Sequence, residues 1–541
     1  MVSGLPPTGP RRGRIRLAIL GAALAGATAA WAQAPSAPAP ATAAPSPVFT
    51  IKGFQVTGEN PLGEARTQQV LAPFVGRGTI DTLQKATAAL ETALRDRGFG
   101  LHRVALPPQE VGDLVRLEIV KFTIAKVLIE GNSRYGDANV RYAVPELREG
   151  ATPNFKRLAV QTAIANENPN KQLQVGLRES EQPDRIDAVI AVKESAPWSF
   201  GINASNIGGS EASGRDRVTF TAGHSNVWDL DHQVLAAYTT SLERPGDVKQ
   251  LGLSYRAPWY RQGMVVGASY TRSDVVGNFG TFTSTGAGHT MGASGTWYLA
   301  PEAGRRSYVT LGLEDKLFEA TVINDVPIGT DRRSRPLTVG YAARTDTDAA
   351  SWGYNLDLVA NTGGGSFNDL ASYQTEDPRI TTTRWKALRG GANYAAPFAG
   401  SWMWLARANF QYSSDVLISG EQFGLGGIGF VRGTRTDRPI TGDKGVAASL
   451  EVTTPELSPA LRLVGFVDAG WLGNNSPNGA NKPSSDRLAS IGVGVRYGGE
   501  RFGGSLDYGR IVKGSRVPLA LNSASPQRGD DRVYLNFSWR F

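Results

Sequence analysis

The sequence predicts a membrane β-barrel of about sixteen antiparallel strands, preceded by two small α+β domains. Three observations carry this expectation. From residue 197 to the end, short segments alternate strictly between apolar and polar residues, the period of a strand with one face in lipid. Before residue 197, helical periodicity is interleaved with short strands. The N-terminus reads as an export signal, and the 541 residues include no cysteine.

Residues 1–32 form that signal. Arg11, Arg12, Arg14 and Arg16 make a basic head, "LAILGAALAGATAA" follows as the apolar segment, and "AWA" ending at Ala32 is a small-x-small cleavage site. Its removal takes four positive charges, so the formal net charge of +8 becomes +4. The basic balance therefore mostly belongs to the signal, and no nucleic-acid partner is expected. Residues 33–47, "QAPSAPAPATAAPSP", are a Pro/Ala linker with no capacity to pack. Beyond them no apolar run is long enough for a spanning helix, so any membrane crossing uses strands.

Two units of similar plan follow, at 48–122 and 123–195. In the first, "FTIKGFQVTG" reads as a strand. A helix over 79–98 places Leu83, Leu90 and Leu94 on one face and stops at Gly98. "HRVALPP" and "LVRLEIVKF" are strands, the latter with Val115, Leu117 and Ile119 on a common face. The second unit begins with "IAKVLIEGN", has a helical stretch near 154–166, and ends with "KQLQVGL" and "RIDAVIAVKE".

The barrel is expected over 197–541. In "MWLARANFQY" (403–412), Trp404, Ala406, Ala408, Phe410 and Tyr412 share one face, opposite Leu405, Arg407, Asn409 and Gln411. "IGVGVRY" and the terminal "VYLNFSWRF" repeat the pattern. The aromatic groups "PWY" (258–260), "WY" (297–298) and "WMW" (402–404) fall where interfacial girdles belong. The four histidines, His102, His224, His232 and His289, are scattered, so no metal or other cofactor is expected. With no G-x-S-x-G elbow either, no catalytic residues are assigned and the chain is expected not to be an enzyme.

Between the strands at 403–412 and 446–453 runs a long, glycine-rich, charged loop, including "FGLGGIGFVRGTRTDRPITGDKG" (423–445), with no sign of regular structure. Phosphate binding fails, because no Lys-Ser/Thr helix start follows the glycines. Strand parity places Leu463, Gly465, Val467 and Ala469 toward lipid, leaving Arg462, Phe466 and Asp468 toward the lumen. In "VAASLEV", Val446, Ala448, Leu450 and Val452 face lipid and Glu451 faces inward.

"GLGGIGFVRG", "GDKG" (442–445) and "FVDAG" (466–470) resemble the signature of the BamA-like superfamily of outer-membrane translocases and insertases. "RVALPPQEVGDLVRLEIV" (103–120) and "NENPNKQLQVGLRESEQPDRIDAVIAVKE" (166–194) resemble the ends of two POTRA domains. Together they are similar to two-partner secretion transporters, the TpsB class (ShlB/FhaC/HecB-like). The resemblance implies that the loop folds back into the barrel, where Arg432 meets Asp468. The implied motif is Val431, Arg432, Gly433, Asp443, Glu451, Phe466, Asp468 and Gly470. Phe541 resembles the terminal aromatic read by barrel-assembly machinery, and it also completes the lipid-facing row. Two departures stand out. Thr434 occupies the position after V-R-G where the family has an aromatic, and residues 33–47 do not suit the plug helix of well-known members.

What the resemblance implies is an outer-membrane translocator with periplasmic POTRA domains. It would pass a TpsA-like exoprotein (a hemolysin, adhesin or hemagglutinin-like protein) to the cell surface without ATP. Its other partners would be outer-membrane lipid and, during biogenesis, the assembly machinery. "RLEIVKF" and the helix at 79–97 are candidate cargo contacts. An assembly insertase, a passive porin and an enzymatic barrel are the alternatives.

Overall fold

Sixteen strands close a barrel in sequential antiparallel order, from Trp198–Ser205 to Asp531–Arg540, which pairs back onto the first. One strand is interrupted: Arg332–Ser334 and Pro336–Asp346 both pair with Arg305–Phe318, and the break falls at Arg335, just before Pro336, which has no N–H for the ladder. The computed structural model describes residues 48–110, 113–209, 214–275, 277–279, 281–284, 286–323 and 326–541; the expected export signal and Pro/Ala linker lie outside the described residues.

The period-two pattern becomes two faces. In the register of Lys444–Thr453 with Leu461–Gly473, Leu450 lies opposite Val467, both exposed on the outer wall, and Ser449 lies opposite Asp468, both buried inside. Short turns join the strands at the end that carries the N-terminal units. Long segments, notably 362–385 and 413–443, join them at the far end.

In the first unit, Leu114–Lys121 lies between Gly53–Gly58, to which it is parallel, and His102–Ala105, to which it is antiparallel. Helix Ile80–Asp96 covers this sheet, with Thr79 and Thr82 forming a capping box at its start. Leu83, Ala86, Leu90 and Leu94 pack on Val115, Leu117 and Ile119. "RLEIVKF" therefore runs along the central strand, where both edges are already paired and no further strand can be added.

The second unit repeats the plan, with Arg185–Glu194 between Thr123–Glu130 and Lys171–Glu179. Its helix Phe155–Ala165 starts at Asn154, whose carboxamide oxygen accepts the N–H groups of Lys156 and Arg157. The same Asn154 donates to Arg97 O at 3.0 Å, at the end of the first unit's helix. Gly98, with φ +93°, does more than stop that helix: a Cβ there would lie 2.3 Å from Asn154 Oδ1. Absence of a side chain lets the two units touch.

The core of the second unit does not end at its own surface. Leu158, Val160 and Ile164 share one buried cluster with Tyr260 and Val265 of the barrel.

Candidate functional site

The segment 413–443 folds into the lumen, and it is more regular than its composition suggests. Phe423–Leu425 pairs with Ile440–Gly442 as a short hairpin, preceded by a 3-10 turn at Ser419–Glu421. Strands of three residues are too short to leave a period in the sequence. Phe423, Leu425, Val431 and Ile440 pack against Ala447, Leu472, Leu488 and Ile511 of the inner wall. At about 1.5–3 kcal/mol for each fully buried aliphatic side chain, this contact supplies most of the attraction that seats the loop. Gly470 makes it possible, since a Cβ there would stand 2.4 Å from Leu425.

Charge then orients the tip. Arg432 is 2 % exposed, and its Nε and Nη2 donate to the two Asp468 oxygens, each at 2.8 Å. Its backbone N–H reaches Asp468 Oδ2 at 3.1 Å. Nη1 donates to Glu451 at 2.7 Å and Nη2 to Ser449 Oγ at 3.1 Å. The guanidinium lies over the Phe466 ring, 3.3 Å from its centroid. Around this ion, Arg407 bonds Glu451 at 3.0 Å and Arg496 pairs with Asp507 at 2.8 Å, itself 3.9 Å from Arg432. Three arginines thus meet three carboxylates. Such a buried network specifies one geometry more than it adds stability.

The remaining motif residues have separate tasks. Val431 is fully buried in the apolar cluster. Gly433 (φ +104°) donates its N–H to Tyr534 Oη at 3.0 Å. Asp443 is fully buried away from Arg432, at the root of the loop. It accepts from the N–H groups of Leu417 at 2.9 Å and Asn475 at 2.8 Å. Thr434 anchors by hydrogen bonding where an aromatic would pack: its hydroxyl accepts from Gly427 N at 2.7 Å and donates to Thr436 O at 2.9 Å. The ring at this place comes from the wall instead, as Tyr534, whose hydroxyl donates to Thr434 O at 3.0 Å. Phe541 is exposed just past the last strand, 4.0 Å between ring centroids from Trp539, and its N–H bonds Phe200 O at 3.0 Å.

Several participants were not singled out from the sequence. Leu472, Leu488 and Ile511 carry a usable signal: each sits on the polar, lumen-facing phase of its strand yet is apolar, which marks a wall that something packs against. Tyr534, Asp507 and Arg496 look like ordinary lumen polar residues.

Above the loop, 362–385 folds as a cap. Trp385, Tyr373 and Ile380 are fully buried with Leu417 and Ile418. Beneath them Glu421 accepts from Ser334 at 2.6 Å and from Arg389 at 2.8 Å.

At the opposite end the second N-terminal unit is locked to the barrel. Lys171 Nζ donates to Asp231 Oδ2 at 2.5 Å and to Asn139 at 2.6 Å, and both ionic groups are essentially unexposed. Asp231 also accepts from Tyr260 Oη at 2.7 Å and Asn139 Nδ2 at 3.2 Å. Burial pulls the Lys171 ammonium below the ordinary lysine range. Trp228, Asp229 and Asp231 all have positive φ in this turn, a strained backbone that the surrounding bonds over-determine. Here the girdle expectation is corrected. Tyr260 is buried in the joint, and Tyr298 Oη donates to Glu167 of the second unit. Both rings pack on protein because the docked unit covers that part of the rim, while Trp259, Trp297 and Trp402 stay exposed.

Comparison with known proteins agrees with this anatomy. A family model described as haemolysin secretion/activation protein ShlB/FhaC/HecB matches residues 184–497, and one described as POTRA domain, ShlB-type, matches 49–121. An outer membrane transporter CdiB of Dickeya dadantii (strain 3937) is 22% identical over 477 residues, covering 81% of this chain and 78% of the relative. A CdiB of Escherichia coli is 21% identical over 441 residues, covering 79% and 73%. The solved structure of CdiB from Escherichia coli superposes with TM-score 0.74 at 18% identity, covering 93% of each chain. That of CdiB from Acinetobacter baumannii gives 0.71 at 16%, covering 92% and 90%.

Proposed function

Because the chain belongs to the haemolysin secretion/activation family ShlB/FhaC/HecB, outer-membrane transporters that secrete partner proteins and keep their POTRA domains in the periplasm, we propose how it does so. It captures a TpsA-like exoprotein on its POTRA units and passes it through the barrel to the cell surface without ATP. The observation that carries this reading is the seated loop. The barrel wall closes strand to strand, while its lumen is filled by a segment held through side-chain contacts, which can be released without unfolding the barrel.

Capture is assigned to a sheet edge. Among the described residues Lys171–Glu179 pairs on one side only, and its first half is occupied by Asn166, which bonds Leu173 N at 2.6 Å and Leu173 O at 3.0 Å. The Val175–Glu179 half, with exposed Leu177, can take an extended cargo segment by main-chain pairing. Folding of the exoprotein outside would then draw the chain through, and no cofactor or catalytic step is required.

Co-expression with a TpsA-like exoprotein tests the proposal. Surface or medium appearance of that exoprotein should require this chain and be lost with Arg432→Ala. Equal secretion without the chain overturns the reading. So does acceleration, by the purified protein in liposomes, of the insertion of unrelated barrels, which would make it an insertase.

A further inference from the structure

The last strand, Asp531–Arg540, meets the first over five residue pairs, from Asn536 opposite Ser205 to Arg540 opposite Gly201. On its other side it pairs with Phe502–Lys513 over nine. Beyond Ser205 the backbone of the first strand makes one more bond to the last, from Asn206 N–H to Leu535 O at 3.2 Å, and the Asn206 side chain then takes over. The Asn206 carboxamide accepts the Leu535 N–H at 2.7 Å and donates to Val533 O at 2.9 Å, spanning the gap as a peptide group would.

Arg532 lies next to this splice. Its Nη2 donates to the carbonyls of Asn206 and Gly208, both at 2.7 Å, where the first strand runs out. Nη1 donates to Thr434 O at 3.3 Å and also to Arg435 O, at the tip of the lumen loop. The guanidinium stacks 5.0 Å from the centroid of Tyr534, whose hydroxyl holds Gly433 and Thr434. One planar ion therefore grips four carbonyls, two from the loop tip and two from the start of the barrel.

We propose that Arg532 is a positioning residue that couples the seating of the loop tip to closure of the seam between the first and last strands. A guanidinium that loses two of its acceptors leaves N–H groups unsatisfied, and it swings to regain partners. When the tip withdraws, Arg532 leaves Asn206 and Gly208 with it, and the extracellular end of the shortest strand junction is held by Asn206 alone. The coupling is reciprocal, so opening the seam loosens the tip. The inference takes the loop as the moving part and does not depend on the cargo.

Amide hydrogen exchange on the full-length protein in lipid tests it without any secretion readout. Asp468→Asn acts three strands away from the seam. It should speed exchange about tenfold at 430–437 and also at 201–209 and 531–536. Arg532→Ala should speed exchange at 430–437, although it touches none of the Asp468 contacts. In that background, adding Asp468→Asn should leave the seam unchanged further. An Arg532 with a merely structural role would loosen the seam in its own variant only. Seam exchange at the wild-type rate in Asp468→Asn, with 430–437 loosened, overturns the proposal. If Arg532→Ala gives no heat-modifiable barrel, Arg532→Lys, which cannot span both pairs of carbonyls, replaces it, and the Asp468→Asn comparison alone still decides.

Discussion

Lys171 of the second N-terminal unit and Asp231 of a periplasmic barrel turn form an ion pair of 2.5 Å with neither side chain exposed. Removing one partner strands a buried charge, so Lys171→Ala should cost about 3–5 kcal/mol at this joint. Lys171→Met combined with Asp231→Asn should cost less than the single change. Limited proteolysis of the second N-terminal unit in opened cells measures the release. Equal protection of wild type and Lys171→Ala would show that the apolar contact of Val160 and Ile164 with Tyr260 holds the joint unaided.

Arg432 serves two carboxylates directly, which makes the pair asymmetric. Arg432→Ala leaves Asp468, Glu451 and Asp507 without their shared cation, whereas Asp468→Ala leaves Arg432 on Glu451. Both should abolish most secretion while the barrel still inserts, with Arg432→Ala the worse. The double variant should be little worse than Arg432→Ala, the non-additivity of one shared network. The measurement is secreted cargo per folded barrel; losses that simply multiply would mean the residues act separately.

The cap predicts a conductance. Trp385 is fully buried among Tyr373, Ile380 and Leu417, and Trp385→Ala should destabilise that cluster by about 3–5 kcal/mol. Purified protein in planar bilayers should then show larger or more frequent openings than wild type. Unchanged traces would assign closure to the lumen loop alone.

His102 predicts a pH dependence in the first POTRA domain. It is 4 % exposed, edge-on to Phe99 at 5.4 Å, with Glu59 and Lys121 nearby, and burial lowers its pKa from 6.5. The charged form is disfavoured in the fold, so the unfolded chain binds the proton more readily. Stability from this group is therefore complete above about 6.5 and falls as pH drops from there toward the folded pKa. Denaturant unfolding at pH 7 and pH 5 should show the loss, and His102→Phe should flatten it. An equal acid slope in His102→Phe would place the effect on other groups.

Phe541 carries a fifth expectation. Deleting it removes one lipid-facing ring that contacts Trp539 and one bond to Phe200. The amount of heat-modifiable barrel in the outer membrane should fall, and normal levels would leave Phe541 as one lipid-facing residue among many.

Period and parity in the sequence already separated the two halves of the chain and assigned Asp468, Phe466 and Glu451 to the lumen. Side chains of a regular strand alternate between its faces, so away from bulges a face can be counted from any residue known to meet lipid. What counting cannot supply is which groups meet across the lumen. That Arg432 takes Glu451 as well as Asp468, that Tyr534 stands in for the missing ring after Gly433, and that Tyr260 leaves the girdle for a joint with Asp231 all depend on partners distant in sequence. Barrel closure, strand register and domain docking bring those partners together, and each is a property of the assembled chain. A three-residue hairpin such as Phe423–Leu425 with Ile440–Gly442 exists for the same reason: it is stable because the wall buries it, and its local sequence carries too little periodicity to announce it.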